Sequence, residues 1–500
     1  MNFNDIKTID YEEILNDIDE TTDMSILNIV LTKCTLQDSQ LRIVHTFAMN
    51  KKIIDITDTG LGKTYNMLGE LALLLPLISN PKKLAIVCVP NQKTEEFYNA
   101  FKVDLGCNVI AVSGRQERVD ALKSTLQMSN VDIILCTPES FSKSLDFDIL
   151  IYNLVHENKV AALLYDEADK MEDKGFLQCI EITNNFIPYA SYANATPTGS
   201  ASTYRPGSTE VLRVTYNLLY GLGALPRAKS YRSFFNKYTT MTGSHRNPTY
   251  TVNSEDILKD FGQYLANTNR TELGAETHFH PVQFVRCEPT KVQLEAMKNK
   301  DDRVNNILYS PETSQNPAFK LTPQNVPALK ALMNILLQFP SDENKIVYVG
   351  NTAAMETISR ILSTLGFEVM RLDGKVTDTP QKKDAMRIRF NESKGAVALI
   401  NIKKGSNLGS AKHIIVYDTP ADMLQYVARA TRGFNSKTIS FSMIYYPAYE
   451  QETMFNHLAM ISTVNNIGER QTELIEPFMN ELLEVYPTSK RWEAIIKMNQ

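Results

Sequence analysis

The chain has 500 residues, of which 43% are hydrophobic and 22% are charged, and its formal net charge is −5. At about 100–200 residues per domain, this length predicts about three compact units. The composition is that of a globular chain and excludes a disordered or collagen-like one. The net negative charge argues against a uniformly basic, histone-like coat for nucleic acid, although a local basic groove is compatible with it.

Cysteine usage and hydropathy indicate an intracellular protein. The six cysteines are far apart and form no CxxC pair, which argues against a disulfide framework or a zinc knuckle. The longest strongly apolar stretch, Leu71 to Ile78, is short and contains Pro76, so it cannot span a bilayer. The first twenty residues are acidic and lack the basic and apolar regions of a secretory signal. We therefore expect a chain that works in a reducing cytoplasm without a membrane partner.

Two series of short apolar, β-branched runs predict two parallel sheets. The first series comprises residues 52–57, 84–89, 109–113, 132–136, 160–165 and 191–195. Helical patterns follow several of these runs, for example over 64–75 and 94–101. The second series comprises residues 346–350, 367–372, 396–400, 413–417 and 438–446. The economical interpretation is an α/β protein with two doubly wound sheets.

Residues 201–325 lose this alternation and predict a mainly helical insertion. From 200 to 250 the only acidic residue is Glu210, whereas basic and aromatic residues are frequent. Lysine and arginine can neutralise phosphates, and aromatic rings can stack on bases. Alternatively, the aromatic residues form a small helical core and the charges a solvated face. The candidate nucleic acid contacts in this segment are Arg205, Arg227, Lys229 and Arg232.

The predicted organisation therefore has five parts. An acidic N-terminal segment (1–35) precedes a first lobe (36–200), the insertion (201–325), a second lobe (326–446) and a helical C-terminal extension (447–500). The N-terminal segment carries eight carboxylates before residue 24 against one lysine, Lys7. We expect it to be a solvated helix or a flexible arm.

The strongest local signal is a glycine-bearing turn between a predicted strand and a predicted helix, TDTGLGKT at 57–64. Its two glycines let backbone N–H groups curl around a β-phosphate at a helix N-terminus. Lys63 can reach the β and γ oxygens, and the Thr64 hydroxyl can ligate Mg²⁺. Thr57 stands where the fuller motif has its first glycine. The predicted phosphate-binding residues are Thr59, Gly60, Leu61, Gly62, Lys63 and Thr64.

A second acidic site, Asp166 and Glu167, follows the apolar run at 160–165. Carboxylates at the carboxyl end of a parallel strand face the crevice where ligands bind. Asp166 can hold Mg²⁺ through water, and Glu167 can orient and deprotonate an attacking water. An acidic helix N-terminus would give the same pattern. The glycine-bearing turn about a hundred residues upstream makes hydrolysis of a nucleoside triphosphate the better interpretation.

These residues resemble the superfamily 2 helicases and translocases, and the similarity continues in the order of that family's motifs. Gln40 matches the adenine-recognising glutamine. Val89-Pro90 is similar to motif Ia and Thr137-Pro138-Glu139 to motif Ib, which in that family lie against the nucleic acid backbone. Asn194-Ala195-Thr196-Pro197 is similar to motif III, which couples hydrolysis to domain movement.

The second lobe continues the resemblance. Arg371-Leu372-Asp373-Gly374, with Phe390-Asn391 further on, resembles a run found in Swi/Snf-type ATPases. The segment QYVARATRG at 425–433 resembles motif VI. This implies that Gln425 lies at the nucleotide and that Arg429 and Arg432 are arginine fingers that reach the γ-phosphate from the opposite lobe.

Two departures from the family pattern affect the motifs of the second lobe. Ala428 replaces the usual glycine of motif VI. The match to motif V at 401–408 is shortened and leaves Gly405 and Asn407 as its anchors, which puts the coupling of steps in doubt more than hydrolysis. Motif VI begins with Gln425 where DEAD-box proteins have histidine, so the chain is most similar to the Swi/Snf-type branch. Its compactness is typical of viral or prokaryotic enzymes.

The resemblance implies two RecA-like lobes and an ATP-dependent, Mg²⁺-dependent DNA helicase or translocase that acts on branched DNA in replication, recombination or repair. Its partners could include proteins of those processes. The alternatives are a double-stranded DNA translocase without strand separation, an RNA helicase, and a non-enzymatic nucleotide-dependent switch. The implied roles fall into three groups: catalysis by Lys63, Asp166, Glu167, Arg429 and Arg432; coupling by Ala195, Thr196 and Gly405; and DNA contact by Pro90, Thr137, Pro138, Asp373 and Asn407.

Overall fold

The computed structural model of the chain describes most of both predicted lobes. The described residues are 18–19, 34–58, 60–79, 83–112, 119–120, 122–124, 126, 131–143, 145–168, 186–194, 208–226, 230–244, 247–268, 270, 273, 275, 277–299, 303–310, 322–373, 380–401, 407–418, 423, 427, 430–431, 436–468 and 473–487.

The strands are numbered in chain order. They are β1 (Lys52–Asp55), β2 (Leu84–Cys88), β3 (Val109–Val112), β4 (Ile133–Cys136), β5 (Val160–Asp166), β6 (Tyr189–Ala193), β7 (Thr239–Ser244), β8 (Asn247–Val252), β9 (Leu265–Ala266), β10 (Thr277–Arg286), β11 (Asn344–Tyr348), β12 (Val369–Leu372), β13 (Val397–Ile400), β14 (Ala411–Val416) and β15 (Lys437–Tyr445).

The helices are numbered in the same way. They are α1 (Asp38–Asn50), α2 (Lys63–Ser79), α3 (Thr94–Val103), α4 (Pro138–Lys143), α5 (Leu145–His156), α6 (Arg213–Gly221), α7 (Tyr231–Tyr238), α8 (Ser254–Phe261), α9 (Lys291–Asn299), α10 (Val304–Tyr309), α11 (Pro327–Gln338), α12 (Thr352–Thr364), α13 (Pro380–Glu392), α14 (Pro447–Gly468) and α15 (Ile475–Val485).

Within the described residues, the first lobe contains a parallel sheet in the order β3-β4-β2-β5-β6-β1-β9. Its strands read as continuous apolar runs because both faces are covered. Ile53 and Val87 enter one hydrophobic cluster, whereas their neighbours Ile54 and Ile86 enter another on the opposite face. Burial on both faces is the pattern of a doubly wound parallel sheet.

The second lobe repeats this design. Its described strands form a parallel sheet in the order β10-β15-β14-β11-β13-β12. Val347 and Ile415 pack on one face, and Ile346 and Ile414 pack on the other. The predicted fold class, two parallel α/β sheets, is confirmed.

The segment between the lobes contributes more β-structure than its sequence predicted. Residues 239–252 form the antiparallel hairpin β7–β8, β9 pairs with β1, and β10 pairs with β15 at the edge of the second sheet. The predicted limits of 201 and 325 for the insertion therefore enclose a strand of each sheet. No continuous apolar run marks β10 in the sequence, because an edge strand is half solvated and the polar residues and Pro281 of β10 interrupt its apolar residues.

The aromatic residues of the insertion form a core. Phe234 and Tyr238 on α7 are fully buried, and their rings contact that of Phe261 on α8. Helix α8 also packs against α14 of the C-terminal extension. The rings of α7 are thus committed to packing, as the alternative interpretation of this segment predicted, while Arg232 on the same helix is exposed.

Two further observations concern the ends of the chain and its helices. Ile18, in the acidic N-terminal segment, is buried in a hydrophobic cluster of the first lobe. Among the described residues, no helix is both long and apolar enough to cross a membrane.

Two glycines with left-handed backbone allow a matched test of the second sheet. Gly395 (φ 77°) precedes β13, where an added Cβ would overlap the carbonyl oxygen of Ser341; Gly366 (φ 89°) has open space around it. We expect Gly366→Ala to cost about 1–2 kcal/mol of stability from backbone strain, and Gly395→Ala to cost about 1–3 kcal/mol more from overlap. Urea unfolding of both variants measures the difference, and equal losses would contradict the overlap.

Candidate nucleotide-binding site

The glycine-bearing turn joins the end of β1 to the start of α2. Gly60 and Gly62 adopt φ of 86° and 84°, a left-handed conformation that glycine tolerates at little steric cost. Gly62 is restricted further, because an added Cβ would lie 2.6 Å from the side-chain nitrogen of Gln40. The backbone therefore requires glycine at both positions, as expected for a loop that closes around phosphate.

Lys63 lies at the first residue of α2. Its Nζ donates hydrogen bonds to the carbonyl oxygens of Thr57, at 2.7 Å, and Asp58, at 3.2 Å. The hydroxyl of Thr57 is buried without a hydrogen-bond partner in the described structure. This arrangement fits the phosphates of a nucleotide, because it combines two glycines in left-handed conformation, a lysine above the loop and a hydroxyl that can still form a hydrogen bond. Thr64, which is half-buried, follows as the second residue of the helix.

Gln40 connects α1 to this loop. Its Oε1 accepts a hydrogen bond from the Gln37 backbone N–H at 3.0 Å, and its Nε2 lies 3.4 Å from the carbonyl oxygen of Gly62. The side chain is buried. The predicted adenine-binding residue therefore lies beside the phosphate loop, where its amide caps the first turn of α1.

Asp166 and Glu167 lie at the carboxyl end of β5. Asp166 is 2% exposed, and its Oδ2 lies 2.6 Å from the Nζ of Lys93. A Glu167 oxygen lies 3.4 Å from the same ammonium. The Glu167 backbone adopts φ 56°, a strained conformation for a residue with a side chain, of the kind that clusters at functional sites. Both carboxylates therefore form an ion pair with the ammonium group of Lys93.

A buried polar network underlies the loop. Asp55 at the end of β1 accepts hydrogen bonds from the Thr57 backbone N–H and from the Asn66 side chain, at 2.9 and 2.8 Å. Glu70, one turn further along α2, is fully buried and accepts a hydrogen bond from Ser191 of β6 at 3.0 Å. Burial, with the nearby charge of Asp55, raises the pKa of Glu70 well above its ordinary value. Both effects favour the protonated form of the Glu70 carboxyl.

The segment that follows β9 also supports the glycine-bearing loop. No sequence motif indicated this support. The Asp58 backbone N–H donates to the Thr268 carbonyl at 3.0 Å, and the Arg270 backbone N–H donates to the Asp58 carboxylate at 3.1 Å. The Thr268 hydroxyl reaches the Ser39 carbonyl at 3.3 Å. The paired residues are more than 200 positions apart in the sequence, so only the tertiary fold brings them together.

The predicted nucleic acid contacts are placed unevenly. Pro90 and Thr137 follow the paired strands β2 and β4 and are both buried, and half-buried Pro138 begins α4. Asp373 is fully buried and receives two hydrogen bonds from Arg371, at 2.9 and 2.7 Å. Its carboxylate is therefore paired with Arg371 inside the second lobe, and its proposed contact with DNA stays a prediction. The Asn407 carbonyl accepts a hydrogen bond from the Asn391 side chain at 2.9 Å, and the side-chain oxygen of Asn407 is buried with no hydrogen-bond partner among the described residues.

The other predicted site residues lie outside the described residues, and their roles stay predictions. They are Thr59, Ala195, Thr196, Arg205, Arg227, Lys229, Gly405, Gln425, Arg429 and Arg432. The residues that the sequence analysis did not single out, but that the structure brings to the site, are Lys93, Asp55, Asn66, Glu70, Ser191, Thr268 and Arg270. Within the described part of the chain, no group of three His, Cys, Asp or Glu side chains could hold a metal ion.

The first lobe is similar in sequence to known helicases. Residues 37–202 match the model of the DEAD/DEAH box helicase family. The pre-mRNA-splicing ATP-dependent RNA helicase PRP28 of Scheffersomyces stipitis is 25% identical over 173 residues, which cover 30% of this chain and 33% of that protein. The ATP-dependent RNA helicase dbp6 of Aspergillus niger is 21% identical over 391 residues, covering 75% of this chain and 58% of that protein.

Among solved structures, the chain is similar to the Sulfolobus solfataricus SWI2/SNF2 ATPase core in complex with dsDNA. It is 15% identical to this chain, with 91% of this chain and 97% of that chain covered, at a TM-score of 0.36. The similarity covers one third of the length of PRP28 and 58% of that of dbp6.

The raised pKa of Glu70 makes stability depend on pH. Because the folded state keeps a proton that the unfolded state releases above the ordinary value of 4.5, stability falls as pH rises through the folded-state pKa. Glu70→Gln is neutral at every pH and removes this contribution. We expect its thermal midpoint to fall less than that of the natural chain as the pH rises above the ordinary carboxyl pKa of 4.5, by about a few degrees.

Glu96→Gln is the matched control, because Glu96 is an exposed glutamate on α3. Its midpoint should follow the natural chain at every pH. Parallel pH profiles for Glu70→Gln and the natural chain would show that Glu70 is ionised in the folded state.

Proposed function

We propose that the chain is an ATP hydrolase of the helicase class that couples hydrolysis to movement on nucleic acid. The observation that carries this proposal is the arrangement at one edge of the first sheet, where the glycine-bearing loop after β1 and the acids after β5 flank the intervening strand β6. The match of residues 37–202 to a helicase model and the ATP-dependent helicases among its relatives support the same activity.

The residues of the first lobe divide the work between binding and hydrolysis. Gly60, Gly62 and Lys63 would hold the phosphates of ATP, since backbone N–H groups and an ammonium neutralise phosphate charge. Thr64 and Asp166 would hold Mg²⁺, which supplies charge neutralisation for the phosphoryl group. Glu167 would orient the attacking water and accept its proton.

The second lobe would complete the site. Arg429 and Arg432 are proposed to reach the γ-phosphate, because an arginine presents fixed donors to developing negative charge. Ala195, Thr196 and Gly405 are proposed to couple hydrolysis to movement of the lobes. Closure and release of the two lobes would then advance the chain along a strand.

The proposed substrate is DNA, forked or branched. Gln425 at the start of motif VI and the Arg371-Leu372-Asp373-Gly374 run, both similar to Swi/Snf-type ATPases, support this choice. RNA is the second candidate, because both curated relatives described above are named as RNA helicases. Translocation on duplex DNA without strand separation is the third.

The hydrolysis proposal predicts that two substitutions remove turnover. Lys63→Ala removes the phosphate-binding ammonium, and Glu167→Gln removes the base, so each should lower nucleic-acid-stimulated ATP hydrolysis by about 100-fold or more. Glu95→Gln, an exposed α3 residue, is the control and should keep full activity. Retention of stimulated turnover in either site variant would refute the assignment.

The arginine-finger assignment predicts a separation of binding from hydrolysis. Arg432→Ala should bind a fluorescent ATP analogue with nearly unchanged affinity and hydrolyse ATP about 10³-fold more slowly. The measurement combines equilibrium binding with single-turnover hydrolysis. An unaltered rate would exclude Arg432 from the site.

The substrate is decided by stimulation and unwinding. ATPase and strand-displacement assays are run with single-stranded, duplex, forked and four-way DNA and with RNA of matched sequence. Strand displacement on forked DNA supports the proposal. Stimulation by duplex DNA without displacement supports the translocase, and stronger stimulation by RNA supports the RNA helicase.

A further inference from the structure

Lys93 is the side chain that neutralises the acids of the candidate site. It ends a short 3₁₀ helix, Asn91–Lys93, that follows β2. Strand β2 pairs directly with β5, with Cys88 opposite Tyr165, so the turn after β2 and the acids after β5 lie side by side. The Lys93 backbone N–H donates to the Pro90 carbonyl at 2.8 Å, which fixes the start of the side chain.

The contact is short and one partner is desolvated. Lys93 Nζ lies 2.6 Å from Asp166, whose side chain is 2% exposed, while Lys93 itself is 22% exposed. A buried carboxylate needs a counter-ion, because an uncompensated charge in the interior is costly. The same ammonium lies 3.4 Å from Glu167. The Lys93 ammonium therefore lies between the carboxylates of Asp166 and Glu167 and forms an ion pair with each of them.

The Lys93 ammonium occupies the position beside Asp166 where a metal ion would bind if Asp166 holds Mg²⁺ as proposed. An ammonium and a hydrated divalent cation compete for the same carboxylate oxygens, and they cannot share Asp166 without electrostatic repulsion. Lys93 is more exposed than Asp166 and belongs to a turn rather than a strand. It is thus the member of the pair that can move away.

We propose that Lys93 is a positioning residue that holds Asp166 and Glu167 in an ion-paired resting arrangement and that Mg²⁺ must displace it. This inference rests on the proposed function, since it takes Asp166 as the metal-holding residue. In the resting arrangement, Lys93 keeps the acids from recruiting a metal ion before a nucleotide supplies further phosphate ligands. Competition with Lys93 makes metal binding at this site weaker than the two acids alone would give.

The first experiment measures metal binding without nucleotide. Mn²⁺ is titrated into the full chain at constant ionic strength, and free Mn²⁺ is followed by electron paramagnetic resonance. Lys93→Gln should bind Mn²⁺ about ten-fold or more tightly than the natural chain, because a competing positive charge is gone. Lys93→Arg should restore the weak binding. Lys102→Gln, an exposed lysine on α3, removes the same net charge and should bind Mn²⁺ like the natural chain.

The second experiment separates positioning from catalysis. The Mg²⁺ concentration for half-maximal ATP hydrolysis should fall at least about five-fold in Lys93→Gln, while kcat stays within about three-fold. A loss of kcat with unchanged Mg²⁺ dependence would overturn the proposal and make Lys93 a participant in hydrolysis. Unchanged Mn²⁺ affinity in a Lys93→Gln chain that melts cooperatively would overturn it as well.

The two proposals fail differently. If no variant, including the natural chain, hydrolyses ATP, the proposed function fails while the Mn²⁺ titration still tests Lys93. If the natural chain hydrolyses ATP but Lys93→Gln binds Mn²⁺ as the natural chain does, the function stands and the role of Lys93 is refuted.

Discussion

Parallel pairing of β1, β6, β5 and β2 places the carboxyl ends of these strands at one edge of the first sheet, and the candidate site depends on this register. Ala193 of β6 lies opposite both Asp55 of β1 and Asp166 of β5, and Cys88 of β2 lies opposite Tyr165. A slip of one residue would turn each side chain to the other face of the sheet. The register is fixed because both faces are buried.

Charge at this edge is balanced in two layers. Beneath the glycine-bearing loop, Asp55 accepts two hydrogen bonds, and burial raises the pKa of Glu70. At the end of β5, Asp166 and Glu167 form ion pairs with Lys93. The lower layer therefore supports the loop from beneath, and the upper layer pairs two acids with one lysine.

The insertion connects the lobes through strands as well as helices. Strand β9 extends the first sheet beside β1, and β10 extends the second sheet beside β15. Arg286 at the end of β10 forms ion pairs with Glu481 and Glu484 of the C-terminal extension, at 2.8 and 2.7 Å. The C-terminal helices therefore cover the second sheet and pack against the insertion, so these segments form part of the scaffold rather than separate appendages.

The sequence predicted the strands of both sheets to within a few residues, because fully buried parallel strands are continuous apolar runs between turns. It did not predict β10, whose edge position leaves half of its residues polar, nor β9, which is too short to give a pattern. Tyr216, Tyr231 and Phe234 illustrate a second limit. Aromatic side chains are suited both to stacking on bases and to packing in a hydrophobic core. The ring of Tyr216 contacts those of Tyr231 and Phe234, so these residues pack against one another.

The sequence by itself determined the chemistry that is local in the chain. Gly60, Gly62, Lys63 and Thr64 are contiguous, and the phosphate loop they predict follows from backbone freedom and helix geometry within eight residues. The tertiary structure decided which distant groups meet them. Lys93 reaches Asp166 across 73 positions, and Arg270 reaches Asp58 across 212. Such contacts arise from strand order and register, which no local pattern encodes, because pairing energy depends on the whole sheet.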